Sequence, residues 1–405
     1  METSKTLGIR WVYLAAGVAA MLFAGVIYAW SILKAPLQEA FGWTASQLAL
    51  NFTLTMCFFC LGGFLGSLTA KRVGGTCVIC AGAILTAVGF ILTSRLNGSS
   101  VIALYITYGL LAGFGIGCAY VTTIATVSAW FPDKKGFCSG CLLMGFGAST
   151  LLLGSLANGL IGSIGWRTTF LLLGIVIGVV ILLAGLLLRH PGSETVLPQA
   201  KESGGKAAES FAAMDYTTAQ MVRRFTFWRA FFCIVLLASV GNAVISFARD
   251  IMLSVGAAAG IATTMVGVLS ICNGLGRIVT GALFDAAGRK TTMLAANIVA
   301  ILAAAVTLLA VVTGSVVLCI GGLCLVGFSY GACPPLSTSF IAAFYGNRYF
   351  ATNYGIMNFN LMGASIVATL ASGLLTSTGG YTWPLIMLLA FAVIALALNV
   401  SIKRP

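Results

Sequence analysis

Arg277 is the residue whose type and position point most directly to chemistry, because it is a permanent cation within an apolar segment. Between Gly256 and Phe284 it is the only charged residue, and Asp285 follows at the end. On a helix, Arg277 lies roughly 12 Å from that end, near the middle of a hydrocarbon core that is about 30 Å thick. A cation at that depth is costly unless it faces a cavity or an anion, so we interpret Arg277 as a binding residue. The alternative is a structural arginine whose long side chain extends to the membrane interface.

The chemistry expected of Arg277 is carboxylate binding. A guanidinium group offers a planar fork of N–H donors that fits the two oxygens of a carboxylate. Asn273 lies four residues earlier and on the same helix face, where its amide is expected either to donate to the bound anion or to orient the guanidinium. The segment therefore predicts a site for a small anion.

Apolar runs long enough to cross a membrane recur along the whole chain, of which 60% is hydrophobic and 8% is charged. Runs of about 20 residues are typical of transmembrane helices, and the 49 glycines suit helices that pack closely. We predict an all-α membrane protein with twelve transmembrane helices. We number these spans 1 to 12 in chain order: 12–33, 46–69, 76–94, 101–128, 138–162, 168–188, 229–248, 256–284, 291–311, 315–343, 351–376 and 382–402.

The net charge of +13 is distributed as in a membrane protein rather than a nucleic-acid-binding protein. With both termini placed in the cytoplasm, most of the 22 basic residues fall on the cytoplasmic side, and four fall outside: Lys34, Arg95, Arg167 and Arg249. This asymmetry follows the positive-inside rule and supports an even number of spans. We expect a multi-pass protein of the cell membrane that contacts the lipid bilayer, is monomeric and has no nucleic-acid partner.

A polar linker is predicted between two six-span halves. Residues 190–227 contain many charged residues, glycines and serines, which is typical of a cytoplasmic linker between domains 1–189 and 228–405. Within it, residues 215–218 (Asp-Tyr-Thr-Thr) resemble the cap of a short helix that runs through Arg223 and Arg224.

The two halves repeat each other weakly. Residues 117–120 (Gly-Cys-Ala-Tyr) in span 4 correspond to residues 327–330 (Gly-Phe-Ser-Tyr) in span 10. Each of these spans is followed by an aromatic pair and a short basic loop, with Trp-Phe at 130–131 and Phe-Tyr at 344–345. Such duplication predicts two pseudo-symmetric bundles, which in transporters bind substrate near the midplane, where the repeats meet.

Enzymatic chemistry is not expected. The only histidine, His190, lies in the linker, and none of the nine acidic residues lies in the middle of a span. Hydrolase sites and proton relays need such groups within the membrane. The sequence has no nucleotide-binding motif, and we predict no cofactor and no metal. The remaining function classes are a carrier, a sensor derived from a transporter, and a facilitator for neutral solutes.

The loop after span 8, residues 281–290, reads Gly-Ala-Leu-Phe-Asp-Ala-Ala-Gly-Arg-Lys. This G-x-x-x-D-x-x-G-R-K pattern resembles the cytoplasmic loop motif of the major facilitator superfamily. The resemblance implies gating roles for Asp285 and Arg289, with the carboxylate accepting at a helix N-terminus or pairing with a cation. The equivalent loop after span 2 has Ala70 and Lys71 where the acid is expected. The loop thus departs from the motif, and its basic residues Lys71 and Arg72 are the gating candidates of the first half.

Four stretches resemble the oxalate/formate antiporter family, the prokaryotic relatives of monocarboxylate transporters: 28–31 (Tyr-Ala-Trp-Ser), 130–136 (Trp-Phe-Pro-Asp-Lys-Lys-Gly), 273–277 (Asn-Gly-Leu-Gly-Arg) and 352–355 (Thr-Asn-Tyr-Gly). The resemblance implies secondary transport of small organic anions by alternating access, with Arg277 on the substrate carboxylate. It also implies that Tyr28, Tyr120 and Tyr330 line the central cavity. The structural alternative for these tyrosines is packing in the core or at the membrane interface.

The same resemblance bears on the charge of the substrate. Oxalate exchangers of this family carry a lysine in span 11 at the position that is Leu361 here, where Asn358 and Asn360 are neutral neighbours. One buried cation would leave a dianion half compensated. We therefore predict a monocarboxylate such as lactate, pyruvate or formate, with Asn358 as a further candidate ligand. The alternative is a dicarboxylate exchanger, and both exchange and proton symport are open as coupling modes.

Overall fold

All the secondary structure described in the computed structural model is helical, as predicted. The structure describes residues 2–98, 100–192, 197–198 and 215–403. The chain divides into two compact units. The first unit is Met1–Lys201 with Tyr354–Asn358, and the second is Glu202–Asn353 with Phe359–Pro405.

The first unit contains spans 1 to 6. Their α-helices are Glu2–Ala24 and Trp30–Phe41 (span 1), Ala45–Val73 (span 2), Gly75–Ser94 (span 3), Val101–Leu104 and Gly113–Ser128 (span 4), Lys135–Ser149 and Ser155–Ile164 (span 5), and Trp166–Leu187 (span 6). Span 2 begins after Thr44, whose side chain forms a reciprocal capping box with Gln47 and satisfies backbone donors at the start of the helix.

The second unit contains most of the remaining helices. They are the short helix Thr218–Val222, Phe225–Ser254 (span 7), Ala259–Thr313 (spans 8 and 9), Val316–Tyr345 (span 10), Phe350–Met357 and Asn360–Thr378 (span 11), and Thr382–Val400 (span 12). Within the described residues, eleven helical stretches are long and apolar enough to cross a membrane. The longest, Ala259–Thr313, is interrupted at Gly288, where φ is 71° and ψ is 178°, a conformation restricted essentially to glycine. That break makes two spans of one stretch and confirms the twelve predicted spans.

Several spans depart from regular α-helix at internal positions. Span 1 winds as a 3₁₀-helix over Gly25–Ala29, and spans 4 and 5 contain π-helical stretches at Tyr105–Ala112 and Thr150–Gly154. The helix of span 11 is interrupted at residues 358–359. Such irregularities within membrane helices are frequent at functional sites. Two predicted site residues, Tyr28 and Asn358, lie in the breaks of spans 1 and 11.

Large apolar side chains are exposed on both units. Leu183 in span 6 is 61% exposed, and Val317 in span 10 is 78% exposed. Exposed apolar surface on this scale is unfavourable in water and favourable in lipid. It agrees with the predicted contact with a bilayer.

The described part of the predicted linker forms a short helix that differs in detail from the prediction. Thr217, within the predicted capping segment 215–218, caps this helix through a capping box with Gln220. The helix ends at Val222, before Arg223 and Arg224, because Arg224 already has extended backbone angles ahead of span 7. Most of the predicted linker lies outside the described residues.

Candidate functional site

Arg277 in span 8 is buried in the second unit, with 4% of its surface exposed. Its Nε donates a hydrogen bond of 2.9 Å to Oδ1 of Asn273, one helical turn earlier. This hydrogen bond is the contact that the orienting role of Asn273 requires, and the role itself stays a prediction. The amide oxygen holds one edge of the guanidinium and thereby restricts the directions in which the other N–H groups point.

Close contact between spans 8 and 10 positions Arg277. A Cβ at Gly276 would collide with the backbone carbonyl of Phe328, and a Cβ at Gly331 would collide with the backbone carbonyl of Asn273. Glycine at these two positions therefore allows the two backbones to approach each other directly beside the arginine. This contact explains the second glycine of the Asn-Gly-Leu-Gly-Arg motif, because any side chain at position 276 would push span 10 away.

Tyr330 in span 10 packs against span 7. Gly241 lies beneath its side chain, since a Cβ at Gly241 would collide with the Cβ and the ring of Tyr330. The tyrosine is partly exposed. Arg277, Asn273 and Tyr330 therefore belong to one unit, on spans 8 and 10, which contact each other through glycine.

The other two predicted tyrosines belong to an aromatic cluster in the first unit, consisting of Tyr28, Phe59, Tyr120, Phe146 and Tyr354. Phe146 is at its centre, with ring centroids 5.3 Å from Tyr28 and 4.8 Å from Tyr120, both edge to face. The hydroxyl groups of Tyr120 and Tyr354 are hydrogen-bonded at 3.0 Å. Tyr120 is 2% exposed. Phe59, Phe146 and Tyr354 were not predicted to be site residues, although Tyr354 lies within the Thr-Asn-Tyr-Gly stretch.

The asparagines of span 11 differ in their contacts. Asn358 is buried, and its Nδ2 has no hydrogen-bond partner among the described residues, which is unusual for a buried donor. Asn360 donates from Nδ2 to the hydroxyl of Ser337, 3.2 Å away. Leu361 is partly exposed. Asn358 therefore has donor capacity for a ligand, whereas Asn360 joins spans 10 and 11 of the second unit.

The predicted gating residues lie at helix ends and around Gly288. Asp285 is exposed, and Arg289 is partly buried, with its guanidinium 5.6 Å from the ring centroid of Phe344. Lys71 and Arg72 are exposed in the last turn of span 2, where cations interact favourably with the helix dipole. Their gating roles stay predictions.

Two further observations concern charged groups. Arg10 and Asp133 form an ion pair of 2.8 Å in the first unit, and this pair was not predicted from the sequence. Among the described residues, no group of three or more His, Cys, Asp or Glu side chains is arranged to hold a metal ion.

Comparison with known proteins gives matches along the whole chain. The family model described as Major Facilitator Superfamily matches residues 12–369, with a second match over residues 232–405. The oxalate:formate antiporter of Oxalobacter formigenes is 28% identical over 404 residues, which cover 97% of this chain and 92% of the antiporter. Monocarboxylate transporter 2 of Mus musculus is 29% identical over 193 residues, which cover 47% of this chain and 39% of that transporter. These matches confirm the resemblance found in the sequence motifs.

A solved structure shares the fold. The fucose:proton symporter of Escherichia coli aligns with a TM-score of 0.71 and 14% identity, covering 98% of this chain and 100% of that structure. At this level of identity the similarity concerns the fold alone.

Proposed function

We propose that this chain, which belongs to the Major Facilitator Superfamily, is a secondary carrier of small monocarboxylates that works by alternating access in the cell membrane. The observation that carries the proposal is the buried Arg277, oriented by Asn273 within a membrane span. A buried guanidinium needs a compensating anion, and a carboxylate supplies the matching geometry.

A monocarboxylate is favoured by the charges near the site. Leu361 stands where the family's oxalate exchangers carry a lysine, and the described neighbours Asn358 and Asn360 are neutral. A single cation compensates a single carboxylate. We propose Asn358, Tyr28, Tyr120 and Tyr330 as further ligands or walls of the binding cavity, Asn358 because its amide donor is buried without a described partner.

Oxalate/formate exchange is the second candidate. It is supported by the match to the oxalate:formate antiporter, which extends over 97% of this chain. This candidate requires a second cationic group for the dianion, and it makes a different prediction for oxalate.

The transport cycle follows from the electrostatics of Arg277. Without an anion, the buried charge opposes closure of the site, because closure removes the remaining water from the guanidinium. A bound carboxylate neutralises the charge and lowers this barrier, which favours exchange of one anion for another. Gating by Asp285, Arg289, Lys71 and Arg72 is part of the same proposal.

Uptake of labelled formate, lactate, pyruvate and oxalate into liposomes that contain the purified protein, and that are loaded with the same unlabelled anion so that exchange can occur, tests the function. We expect monocarboxylate uptake by the wild type and a loss of at least about 100-fold in Arg277→Gln, since one partner of a buried charge pair is removed. Arg277→Lys keeps the charge but loses the fork, and should be intermediate. Arg95→Gln changes an exposed arginine outside the spans and is the matched control.

Each rival class gives a distinct result in this assay. Unchanged uptake in Arg277→Gln would remove Arg277 from the site and favour a facilitator for neutral solutes. Binding without uptake would indicate a sensor. Rapid oxalate exchange by the wild type would favour the second candidate.

A further inference from the structure

The loop between spans 4 and 5 is clamped to the start of span 1 in the first unit. Nη1 of Arg10 lies 2.8 Å from Oδ1 of Asp133, and both side chains are nearly buried, 8% and 13% exposed. The rings of Trp11 and Phe131 pack edge to face at 5.2 Å, and the guanidinium of Arg10 lies 4.9 Å from the centroid of Phe131. We call these contacts the first clamp.

The second unit has a corresponding arrangement between the segment before span 7 and the loop between spans 10 and 11. Oδ1 of Asp215 accepts hydrogen bonds from the backbone N–H groups of Asn347 and Arg348, at 3.0 and 3.1 Å. The rings of Tyr216 and Tyr345 pack edge to face at 5.6 Å. These contacts form the core of the second clamp.

Further hydrogen bonds extend the second clamp to the beginning of span 11. Nδ2 of Asn353 donates to the carbonyl of Tyr216 at 3.0 Å, and the hydroxyl of Thr218 donates to Oδ1 of Asn353 at 2.8 Å. Asn353 is fully buried. Gly346, with φ at 78°, lets the loop turn directly against Asp215, because a Cβ there would collide with the carboxylate.

The two clamps are related by the internal repeat of the chain. Phe131 and Tyr345 occupy matching places in the aromatic pairs that follow spans 4 and 10. Each packs edge to face on an aromatic residue from the segment that leads into the first span of its unit, with interplanar angles of 74° and 79°. The carboxylate is on the loop in the first clamp and on the preceding segment in the second. The same joint is therefore made twice, with the carboxylate on opposite sides: it pairs with a guanidinium in the first clamp and with two backbone N–H groups in the second.

We infer that Asp133 and Asp215 are positioning residues for transport. Each carboxylate holds together the cytoplasmic ends of the first, fourth and fifth spans of its unit, so that these spans move as one body during the cycle. Spans 4 and 10 carry Tyr120 and Tyr330, so movement of their cytoplasmic ends is transmitted to the proposed site.

Stability alone does not explain the first clamp. Nε of Arg10 is buried and has no hydrogen-bond partner among the described residues, so the desolvation of this cation is incompletely compensated. A buried ion pair of this kind is weak evidence for stability, and an apolar pair would serve the core as well. The ion pair instead determines that the loop between spans 4 and 5 contacts the start of span 1.

The test compares Asp215→Ala, Asp215→Asn and the control Asp250→Ala, which removes a carboxylate that is exposed, as Asp215 is, but lies outside the clamp. The measurements are lactate uptake in liposomes and lactate binding to the purified protein. The choice of lactate rests on the proposed function. We expect Asp215→Ala to lower the maximal uptake rate about tenfold while leaving the affinity for lactate within about twofold of the wild type. Asp215→Asn should restore most of the rate, since its amide oxygen accepts the same two backbone N–H groups.

Hydrogen exchange of the Asn347 and Arg348 amides tests the second clamp independently of substrate binding. These amides should exchange faster in Asp215→Ala and remain protected in Asp215→Asn, whether or not lactate binds. If the wild type binds no carboxylate while the amides behave as expected, the proposed function fails and the clamp stands. Unchanged amide exchange in Asp215→Ala, or a wild-type uptake rate, would overturn the clamp.

The first clamp has its own variants. Asp133→Asn and Arg10→Lys weaken the ion pair while keeping hydrogen bonding, so they serve where an alanine variant does not fold. We expect each to lower the maximal rate with little change in affinity, and the double variant to be no slower than the slower single one. Additive losses would show that the two residues act separately and would overturn their pairing in transport.

Discussion

Asn273 and Arg277 illustrate how one hydrogen bond sets the direction of a binding group. The amide oxygen of Asn273 takes the Nε donor of the arginine at 2.9 Å. Because that oxygen carries only a partial charge, it orients the guanidinium without neutralising it. This hydrogen bond by itself therefore leaves the positive charge of the guanidinium in place. A carboxylate at position 273 would occupy the same place and compete with the substrate.

Asn273→Asp tests this competition. The new carboxylate would lie within salt-bridge distance of Arg277 and neutralise it, so we expect substrate binding to weaken by at least about 100-fold, the scale of a buried charge pair. Asn273→Ser, which is neutral, should weaken binding far less. Titration of the purified protein with lactate measures both affinities, and Asn97→Asp, outside the spans, controls for the added charge. Equal losses in the aspartate and serine variants would argue against competition.

Most residue roles could be predicted only where the sequence carries a local signal. Arg277 stands out because one charge lies within a long apolar run, and Asn273 because it is one helical turn away. The pair Arg10–Asp133 is separated by 123 positions, and no local pattern connects them. The hydrogen bond between the hydroxyl groups of Tyr120 and Tyr354 could not be predicted for the same reason, since the two residues are 234 positions apart.

At the scale of elements, glycines determine how closely spans 8 and 10 approach. Gly276 and Gly331 each face a backbone carbonyl of the opposite span. On the same two spans, Gly267 and Gly321 face open space, with no described atom within 4 Å of an added Cβ. The chain thus contains matched pairs of crowded and uncrowded glycines on each helix.

Gly276→Ala should therefore be destabilising where Gly267→Ala is not. Forcing a methyl group against the Phe328 carbonyl separates the helices or distorts them, at a cost of about 1–3 kcal/mol. We expect a lower melting temperature and reduced lactate affinity, because Arg277 is the next residue. Thermal unfolding in detergent and lactate titration measure the two effects. A melting temperature that changes equally in both variants would show that packing at this contact does not matter.

Hydropathy predicted the spans well because membrane helices need a minimum apolar length, which is a property of local sequence. The breaks within the spans were not predicted, since they depend on packing against distant residues. In span 1, Gly25 lies against the backbone carbonyl of Phe146, and this contact adjoins the 3₁₀ stretch. The contact of the Asp215 carboxylate with a loop more than 130 residues away was not predicted either, because no local pattern connects the two segments.

At the scale of the whole molecule, substrate choice depends on the balance of buried charge. The proposed site has one cation, and the position that would supply a second is Leu361. We do not expect the net charge of the chain to influence this balance, because the other basic residues are predicted to lie toward the membrane surfaces. A single substitution is therefore expected to change the class of substrate.

Leu361→Lys should shift preference from monocarboxylates toward oxalate. A second ammonium group compensates the second carboxylate and leaves an excess charge when a monoanion binds, so we expect the oxalate-to-lactate affinity ratio to rise by about tenfold or more. Competition of unlabelled oxalate against labelled lactate uptake measures the ratio. Leu361→Met, which keeps an apolar side chain of similar volume, should leave it unchanged. A ratio that is the same in the lysine variant would show that position 361 is remote from the substrate.

The tight winding of Gly25–Ala29 gives span 1 the properties of a screw. A 3₁₀-helix rises about 2.0 Å and turns about 120° per residue, whereas an α-helix rises about 1.5 Å and turns about 100°. Rewinding these five residues as α-helix would shorten the span by about 2.5 Å and rotate its outer half, Trp30–Phe41, by about 100°. Tyr28 lies within the stretch that would rewind. A change from 3₁₀ to α hydrogen bonding at Gly25–Ala29 would thus both translate Trp30–Phe41 along the helix axis and rotate it by about a quarter turn.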